Sequence, residues 1–108
     1  MRTSEIINKQ LSENPIILYM KGNPQFPMCG FSAAAVEALN STGCQFAFVN
    51  VLEEPRIRQG LPEISEWPTF PQLFVNGELV GGADIIKEMN ASGQLKALLD
   101  TAAPVAAE

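Results

Sequence analysis

The chain has 108 residues, enough for one hydrophobic core, so we expect a single domain over residues 1–108. Its net charge of −5 and seven scattered Lys and Arg residues argue against nucleic acid as a partner, because phosphate binding needs clustered positive charge. The absence of histidine excludes Cys-His nucleophilic catalysis and every zinc site that contains histidine.

The N-terminal part predicts a helix followed by a buried strand. Thr3 or Ser4 can cap a first helix that ends at Asn14-Pro15. The apolar run 16–20 is short and predicts a buried strand. The following loop, residues 21–28, contains two prolines and shows no regular pattern.

A second helix and a second strand follow. The helix is expected to begin near Gly30 and to be closed by Gly43. Apolar residues at helical spacing mark its buried stripe, namely Phe31, Ala34, Ala35, Ala38 and Leu39. Residues 46–51 then predict a strand, which the helix would connect to the first one.

The next stretch predicts a weaker helix and then a hairpin. Residues 54–65 have helical character, but Gly60-Leu61-Pro62 is expected to interrupt the helix. Two strands, 72–75 and 78–80, flank Asn76-Gly77, a pair typical of a tight hairpin turn.

Two helices complete the chain. The turn 81–84 opens a helix that carries Ile85, Ile86 and Met89. A last short helix uses Leu95, Leu98 and Leu99, and the Ala-rich tail 101–108 is expected to fray.

The resulting order, αβαβαββαα, predicts an α/β fold. The first two strands should be parallel, because a helix connects them, whereas the last two form an antiparallel hairpin. A four-stranded mixed sheet with helices on both faces closes this order, which is the thioredoxin-like arrangement.

Cys29 is the residue whose position most needs a chemical explanation. At a helix start, a thiol faces unpaired N–H groups and the positive end of the helix dipole, and both favour the reactive thiolate. The alternative is a small buried core residue. Cys44 lies at the far end of the same helix, about 20 Å away at ~1.5 Å per residue, beyond disulfide reach, and is expected to be structural or incidental.

Four further positions could bind a ligand or serve the structure. Lys21 follows the first strand, where α/β proteins often bind ligands, but it could be a solvated charge. Arg58 alone reads as a helix-surface arginine. The turn 81–84 offers N–H groups to an anion, and Asp84 could either cap the helix or meet an ammonium group. Trp67 could shape the surface or pack inside.

Three motifs in this order resemble the monothiol glutaredoxins, in particular their short, single-domain bacterial type. They read Lys21-Gly22-x-Pro24-x-x-Pro27-x-Cys29-Gly30-Phe31-Ser32, Trp67-Pro68-Thr69-Phe70-Pro71-Gln72 and Gly81-Gly82-x-Asp84-Ile85. The match spans roughly residues 4–99. The resemblance implies a thioredoxin fold that binds glutathione beside the cysteine. It also implies a [2Fe-2S] cluster between two subunits, each contributing the cysteine, Cys29, and one glutathione.

The resemblance also implies roles for individual residues. Lys21 and Arg58 would bind the glycine carboxylate of glutathione. The Phe70–Pro71 bond would be cis, leaving the main chain of Phe70 to pair with the glutathione backbone. The turn that contains Ala83 and Asp84 would bind the γ-glutamyl end.

Two functions are compatible with these features. The first is a cytoplasmic homodimer that passes its cluster to iron-sulfur acceptor proteins or shares it with a BolA-type partner. No membrane association is expected. The second is a glutathione-dependent oxidoreductase, at most a weak enzyme. Ser32 replaces the second cysteine of dithiol enzymes, and Ala83 cannot act as a resolving thiol. The carrier is therefore the preferred interpretation.

Overall fold

Helices and short strands alternate in the computed structural model, which describes residues 1–102. The helices are α1 (Thr3–Glu13), α2 (Gly30–Ser41), α3 (Pro55–Ser65), α4 (Ala83–Ser92) and α5 (Gln94–Leu99). The strands are β1 (Ile16–Met20), β2 (Gly22–Asn23), β3 (Phe26–Pro27), β4 (Ala47–Asn50), β5 (Gln72–Val75) and β6 (Glu78–Gly81). Most of the tail predicted to fray, residues 103–108, lies outside the described residues.

The main sheet is the predicted four-stranded mixed sheet. Its strand order is β4-β1-β5-β6, with β1 parallel to β4 and antiparallel to β5. β5 and β6 form the antiparallel hairpin, and both turn residues, Asn76 and Gly77, have positive φ, as a two-residue hairpin turn requires. This part of the fold is confirmed.

Helices cover both faces of the sheet because β1 is apolar on both sides. Leu18 and Met20 point into a cluster with side chains of α2, α4 and α5. Ile17 and Tyr19 point the other way, into a cluster with side chains of α1 and α3. This alternation is what a central strand buried on both faces requires. Within residues 1–102, no helix is both long and apolar enough to cross a bilayer.

The predicted cap of the first helix is wrong. The N-cap is Arg2 rather than Thr3 or Ser4, and the Arg2 N–H donates to the Glu5 carboxylate over 2.7 Å. The Thr3 hydroxyl instead accepts a hydrogen bond from Arg56 on α3. An acidic side chain in the first turn thus satisfies the helix start, and the candidate cap residue links two helices.

The predicted interruption of α3 is also wrong, since the helix runs unbroken through Gly60 and Pro62. Ile57 and Leu61 are almost fully buried and hold this helix against the sheet. Gly60 lies against α1, where a β-carbon would come within 2.9 Å of Thr3 Cγ2. Close packing of the two helices therefore outweighs the weak helical propensity of this segment.

The start of α2 differs from its sequence pattern in one respect. Phe31, predicted to belong to the buried stripe, is 66% exposed. The polar Ser32 beside it is fully buried, as is Ala35 one turn further along the helix. The spacing of apolar residues predicted the helix correctly, but in the first turn of the helix the Phe31 ring is exposed instead of being packed in the core.

The loop between β1 and α2 is more regular than predicted, because it contains the small antiparallel pair β2 and β3. The Asn23 side chain accepts hydrogen bonds from the N–H groups of Gln25 and Phe26, which closes the turn between these strands. Gly22 has a φ of +92° and donates its N–H to the Asn50 side chain. The loop that leads to Cys29 is therefore held at its start by Asn50 and at its turn by Asn23.

Gly22→Ala is expected to destabilise the protein more than Gly43→Ala. Both glycines have positive φ, but a β-carbon at Gly22 would lie 2.5 Å from the Phe26 carbonyl oxygen, whereas one at Gly43 would meet nothing within 4 Å. Overpacking costs about 1–3 kcal/mol, so we expect a difference of that size in the free energy of unfolding. Denaturant unfolding of both variants measures this difference. Equal losses of unfolding free energy would show that the loop shifts to accommodate the new β-carbon.

Candidate functional site

A cleft of about 950 Å³ lies beside Cys29. It is lined by the residue after β1, the start of α2, residues of α3, the segment before β5 and the start of α4. All the residues predicted to form the site line this cleft, namely Lys21, Cys29, Arg58, Phe70, Ala83 and Asp84. Residues far apart in the sequence are thus brought to one place.

Cys29 is the N-cap of α2 and is partly exposed. Its sulfur accepts a hydrogen bond from the Ser32 N–H over 3.3 Å, and the Ser32 hydroxyl oxygen lies 3.3 Å from the same sulfur. That hydroxyl in turn accepts the Lys21 N–H over 3.0 Å. Because the Lys21 N–H orients the hydroxyl, its hydrogen is available to the thiolate.

These contacts lower the pKa of the Cys29 thiol below its ordinary value. Partial burial would by itself raise the pKa. Hydrogen bonds from the Ser32 hydroxyl and from the N–H groups of Ser32 and Phe31, with the positive charge of Lys21, outweigh burial. The cleft therefore contains a thiol biased towards its nucleophilic and metal-binding form.

Two cations of the cleft are available to a ligand. Neither Lys21 nor Arg58 takes part in a salt bridge within residues 1–102. The Lys21 carbonyl accepts the Met28 N–H over 2.8 Å, which holds the loop next to Cys29. A carboxylate entering the cleft would thus meet two positive charges that have no protein counter-ion in the described part of the chain.

The segment before β5 has the predicted geometry at Phe70. The Phe70–Pro71 peptide bond is cis, as the family resemblance implied. Within the described residues, the main chain of Phe70 makes no hydrogen bond to the protein, although Phe70 lines the cleft. Its N–H and C=O are therefore available to a ligand in an extended conformation.

The structure at the start of α4 excludes one of the two roles predicted for Asp84, that of the helix cap. The N-cap is Gly82, and Asp84 lies in the first turn, so Asp84 is not the cap. No side chain in residues 1–102 caps this helix. The first N–H groups, including that of the buried Ala83, remain suited to an anion, and the Asp84 carboxylate is suited to a neighbouring cation.

Trp67 combines the two alternatives considered for it. Its side chain is half-buried and lines the cleft together with Pro68. A β-carbon on Gly82 would lie 3.1 Å from the indole nitrogen, so the ring packs directly against the start of α4. The indole N–H is buried and has no hydrogen-bond partner among the described residues.

Cys44 lies outside the cleft. It follows α2 and packs partly against the core, and its sulfur is 4.0 Å from the Asp100 carboxylate. Residues 1–102 contain no group of three or more Cys, His, Asp or Glu side chains able to hold a metal ion. In the cleft, one chain therefore contributes a single thiolate.

Two polar residues near the cleft, Ser32 and Gln72, make contacts that were not predicted from the sequence. In the sequence Ser32 stands out only as the replacement for a second cysteine, yet its hydroxyl contacts the Cys29 sulfur. The spacing contained a signal, because the residue three positions after an N-cap donates its N–H to the capping side chain. Gln72 is fully buried at the start of β5, and no local pattern marks its contacts.

Comparisons with known proteins agree over nearly the whole chain. The family model described as Glutaredoxin matches residues 16–80. Glutaredoxin 4 of Pasteurella multocida (strain Pm70) is 59% identical over 99 residues, which cover 92% of this chain and 91% of the relative. Glutaredoxin 4 of Escherichia coli (strain K12) is 55% identical over 107 residues, or 98% and 93% of the two chains.

The solved structures extend this likeness to the fold. The solution structure of reduced poplar apo GrxS14 superposes with a TM-score of 0.78 at 43% sequence identity. The aligned region covers 91% of this chain and 90% of the poplar protein. The likeness therefore includes the thioredoxin-like architecture.

Proposed function

This chain belongs to the glutaredoxin family, and from that premise we propose that it binds glutathione and carries a [2Fe-2S] cluster to acceptor proteins. The cluster is held between two copies of the chain, each supplying Cys29 and one bound glutathione. The observation that carries the proposal is a single thiol with a lowered pKa in a cleft whose charges match glutathione.

The charges of glutathione match those of the cleft. One end of the tripeptide is a carboxylate, which Lys21 and Arg58 would bind. Its backbone would pair with the main chain of Phe70, as an added strand does. Its γ-glutamyl end carries both a carboxylate and an ammonium group, which suit the uncapped start of α4 and Asp84 respectively.

The number of available thiols supports a shared cluster. A [2Fe-2S] cluster takes four thiolates, and each cleft contains one protein sulfur, that of Cys29. Two copies of the chain and two glutathione molecules complete this number. Met28 and Phe31, which flank the cysteine in the sequence, are each 66% exposed, and such apolar side chains suit contact with a second protein surface.

The same chemistry allows a protein partner and fits a reducing compartment. A BolA-type protein could take the place of one copy in a mixed dimer that shares the cluster, before transfer to iron-sulfur acceptor proteins. Both cysteines, Cys29 and Cys44, are free thiols. We further propose that the protein acts in the cytoplasm, where glutathione keeps thiols reduced.

The lowered pKa of Cys29 also favours a second function, the reduction of protein–glutathione disulfides. The Cys29 thiolate attacks the glutathione sulfur, forming a Cys29–glutathione disulfide while the protein thiolate leaves and takes up a proton. A second glutathione thiolate then attacks the glutathione sulfur of that disulfide. The products are oxidised glutathione and the restored Cys29 thiolate, so the chain needs no second cysteine.

Anaerobic reconstitution with iron, sulfide and glutathione tests the carrier proposal. The visible spectrum and the native mass should be recorded on the same sample. A cluster chromophore on a dimer that is lost when glutathione is withdrawn supports the carrier. A colourless monomer that reduces a glutathionylated peptide contradicts it and favours the oxidoreductase.

Arg58→Gln is expected to raise the glutathione concentration needed for half-maximal cluster assembly about five- to ten-fold, because a charge-assisted bond to a carboxylate is lost. A titration of the chromophore against glutathione measures this concentration. Lys87→Gln is the control, since it removes one positive charge from α4 outside the cleft. Equal shifts in both variants would indicate a long-range charge effect. No shift in Arg58→Gln would show that Arg58 is a surface residue that does not bind glutathione.

A further inference from the structure

Gln72, the first residue of β5, is fully buried although its side chain is a polar amide. Its amide nitrogen donates two hydrogen bonds, to the Trp67 carbonyl over 2.9 Å and to the Thr69 carbonyl over 3.2 Å. Its amide oxygen is buried without a partner within residues 1–102. Burying an unpaired acceptor is unfavourable, so what this side chain contributes to the fold lies in its two donated bonds.

The two carbonyls belong to the segment that forms one wall of the cleft. Trp67, Thr69 and Phe70 all line the cleft, and this segment lies between α3 and β5 without regular secondary structure. Pro68 and Pro71 have no N–H groups, which reduces the number of main-chain bonds that could hold the segment. The Gln72 side chain supplies, from inside the fold, the donors that a neighbouring strand would otherwise provide.

We propose that Gln72 is a positioning residue for glutathione binding. By holding the carbonyls of Trp67 and Thr69 towards the interior, it fixes the chain immediately before Phe70. The main chain of Phe70 then keeps its unpaired N–H and C=O in the cleft, where a ligand can reach them. The inference rests on the proposed function in one respect, since it takes glutathione as the ligand.

The test compares Gln72→Met with Val75→Ala. Methionine has a similar length and volume but removes both donors, whereas Val75→Ala weakens the core on the same strand without touching the segment before it. Three quantities are measured for each variant: the free energy of unfolding, the glutathione dissociation constant by calorimetry, and amide hydrogen exchange in residues 67–70. The single tryptophan, Trp67, adds its emission spectrum as a reporter of the same segment.

Gln72→Met should weaken glutathione binding about ten-fold, accelerate exchange in the segment and shift the Trp67 emission. Val75→Ala, even if equally destabilised, should keep its glutathione affinity within about two-fold. Gln72→Glu provides a second variant if Gln72→Met does not fold. A carboxyl group can donate at most one of the two bonds, so its affinity should also fall below that of the wild type.

Two different results would count against the proposal, and they can be told apart. Equal glutathione affinities in a folded Gln72→Met variant and in the wild type would overturn the positioning role alone. A wild-type protein that binds no glutathione would overturn the proposed function together with this role. In that second case, exchange and Trp67 emission would still show whether Gln72 holds the segment.

Discussion

Cys29→Ser should abolish cluster assembly, whereas Cys44→Ser should leave it intact. A serine hydroxyl is not ionised at neutral pH and is a poor ligand for iron in a cluster, so each dimer would lose two of its four sulfur ligands. Cys44 lies outside the cleft, at the other end of α2, and its sulfur is near Asp100 rather than near any residue of the site. The two variants are therefore matched in chemistry and differ in position.

The visible chromophore and the native mass after anaerobic reconstitution give the result. For Cys29→Ser we expect a colourless monomer with an unchanged free energy of unfolding to within about 1 kcal/mol, because the cysteine is partly exposed. For Cys44→Ser we expect the spectrum and the mass of the wild-type dimer. A chromophore in Cys29→Ser, or its loss in both variants, would contradict the assignment of the ligand.

Local sequence signals predicted the parts of the fold that depend on neighbouring residues. The apolar run 16–20 is too short for a helix of useful stability and became β1, and Asn76-Gly77 formed the hairpin turn. The errors occurred where distant residues decide. Gly60 is tolerated in α3 because Thr3 of α1 packs against it, and Phe31 is exposed because it lines the cleft.

The site follows the same division. Cys29 could be identified from its place at a helix start. The family resemblance identified the other predicted residues, most of them within its three motifs and Arg58 outside them. Ser32 could in principle be paired with the cysteine, since the two are three positions apart at the start of a helix. The contacts of Gln72 could not be predicted, because they depend on how the chain folds back after α3.

Ser32→Ala should raise the pKa of Cys29 and slow its alkylation at neutral pH. The alanine variant keeps the N–H at this position but loses the hydroxyl, whose oxygen lies 3.3 Å from the sulfur and which donates to the sulfur once the thiol is ionised. Because hydrogen bonds to charged groups are among the stronger ones, we expect the rate of reaction with iodoacetamide at pH 7 to fall about five- to ten-fold. The pH–rate profile should shift to higher pH, with the same maximal rate once the thiol is fully ionised.

Ser41→Ala is the matched control, because it removes a hydroxyl from the other end of α2, where that group donates to the Ala38 carbonyl. Its profile should coincide with that of the wild type. Stability gives an independent test with a defined sign. In the wild type the pKa of Cys29 is lower than in the unfolded chain, so ionisation stabilises the folded state. This contribution is complete above the unfolded thiol pKa of about 8.5 and is lost as the pH falls through the lower folded value.

The stability difference between the wild type and Ser32→Ala should therefore widen as the pH rises towards the ordinary thiol range. Because Cys29 is partly exposed, the widening is expected to be small and is best measured by denaturant unfolding across a pH series. A difference that stays constant with pH would mean that the Ser32 hydroxyl serves the fold alone, through the bond it accepts from Lys21. A stability difference that widens with pH, together with a shifted alkylation profile, would mean that Ser32 keeps the Cys29 thiol ionised. Ser32 would then have this role at the position where dithiol enzymes have their second cysteine.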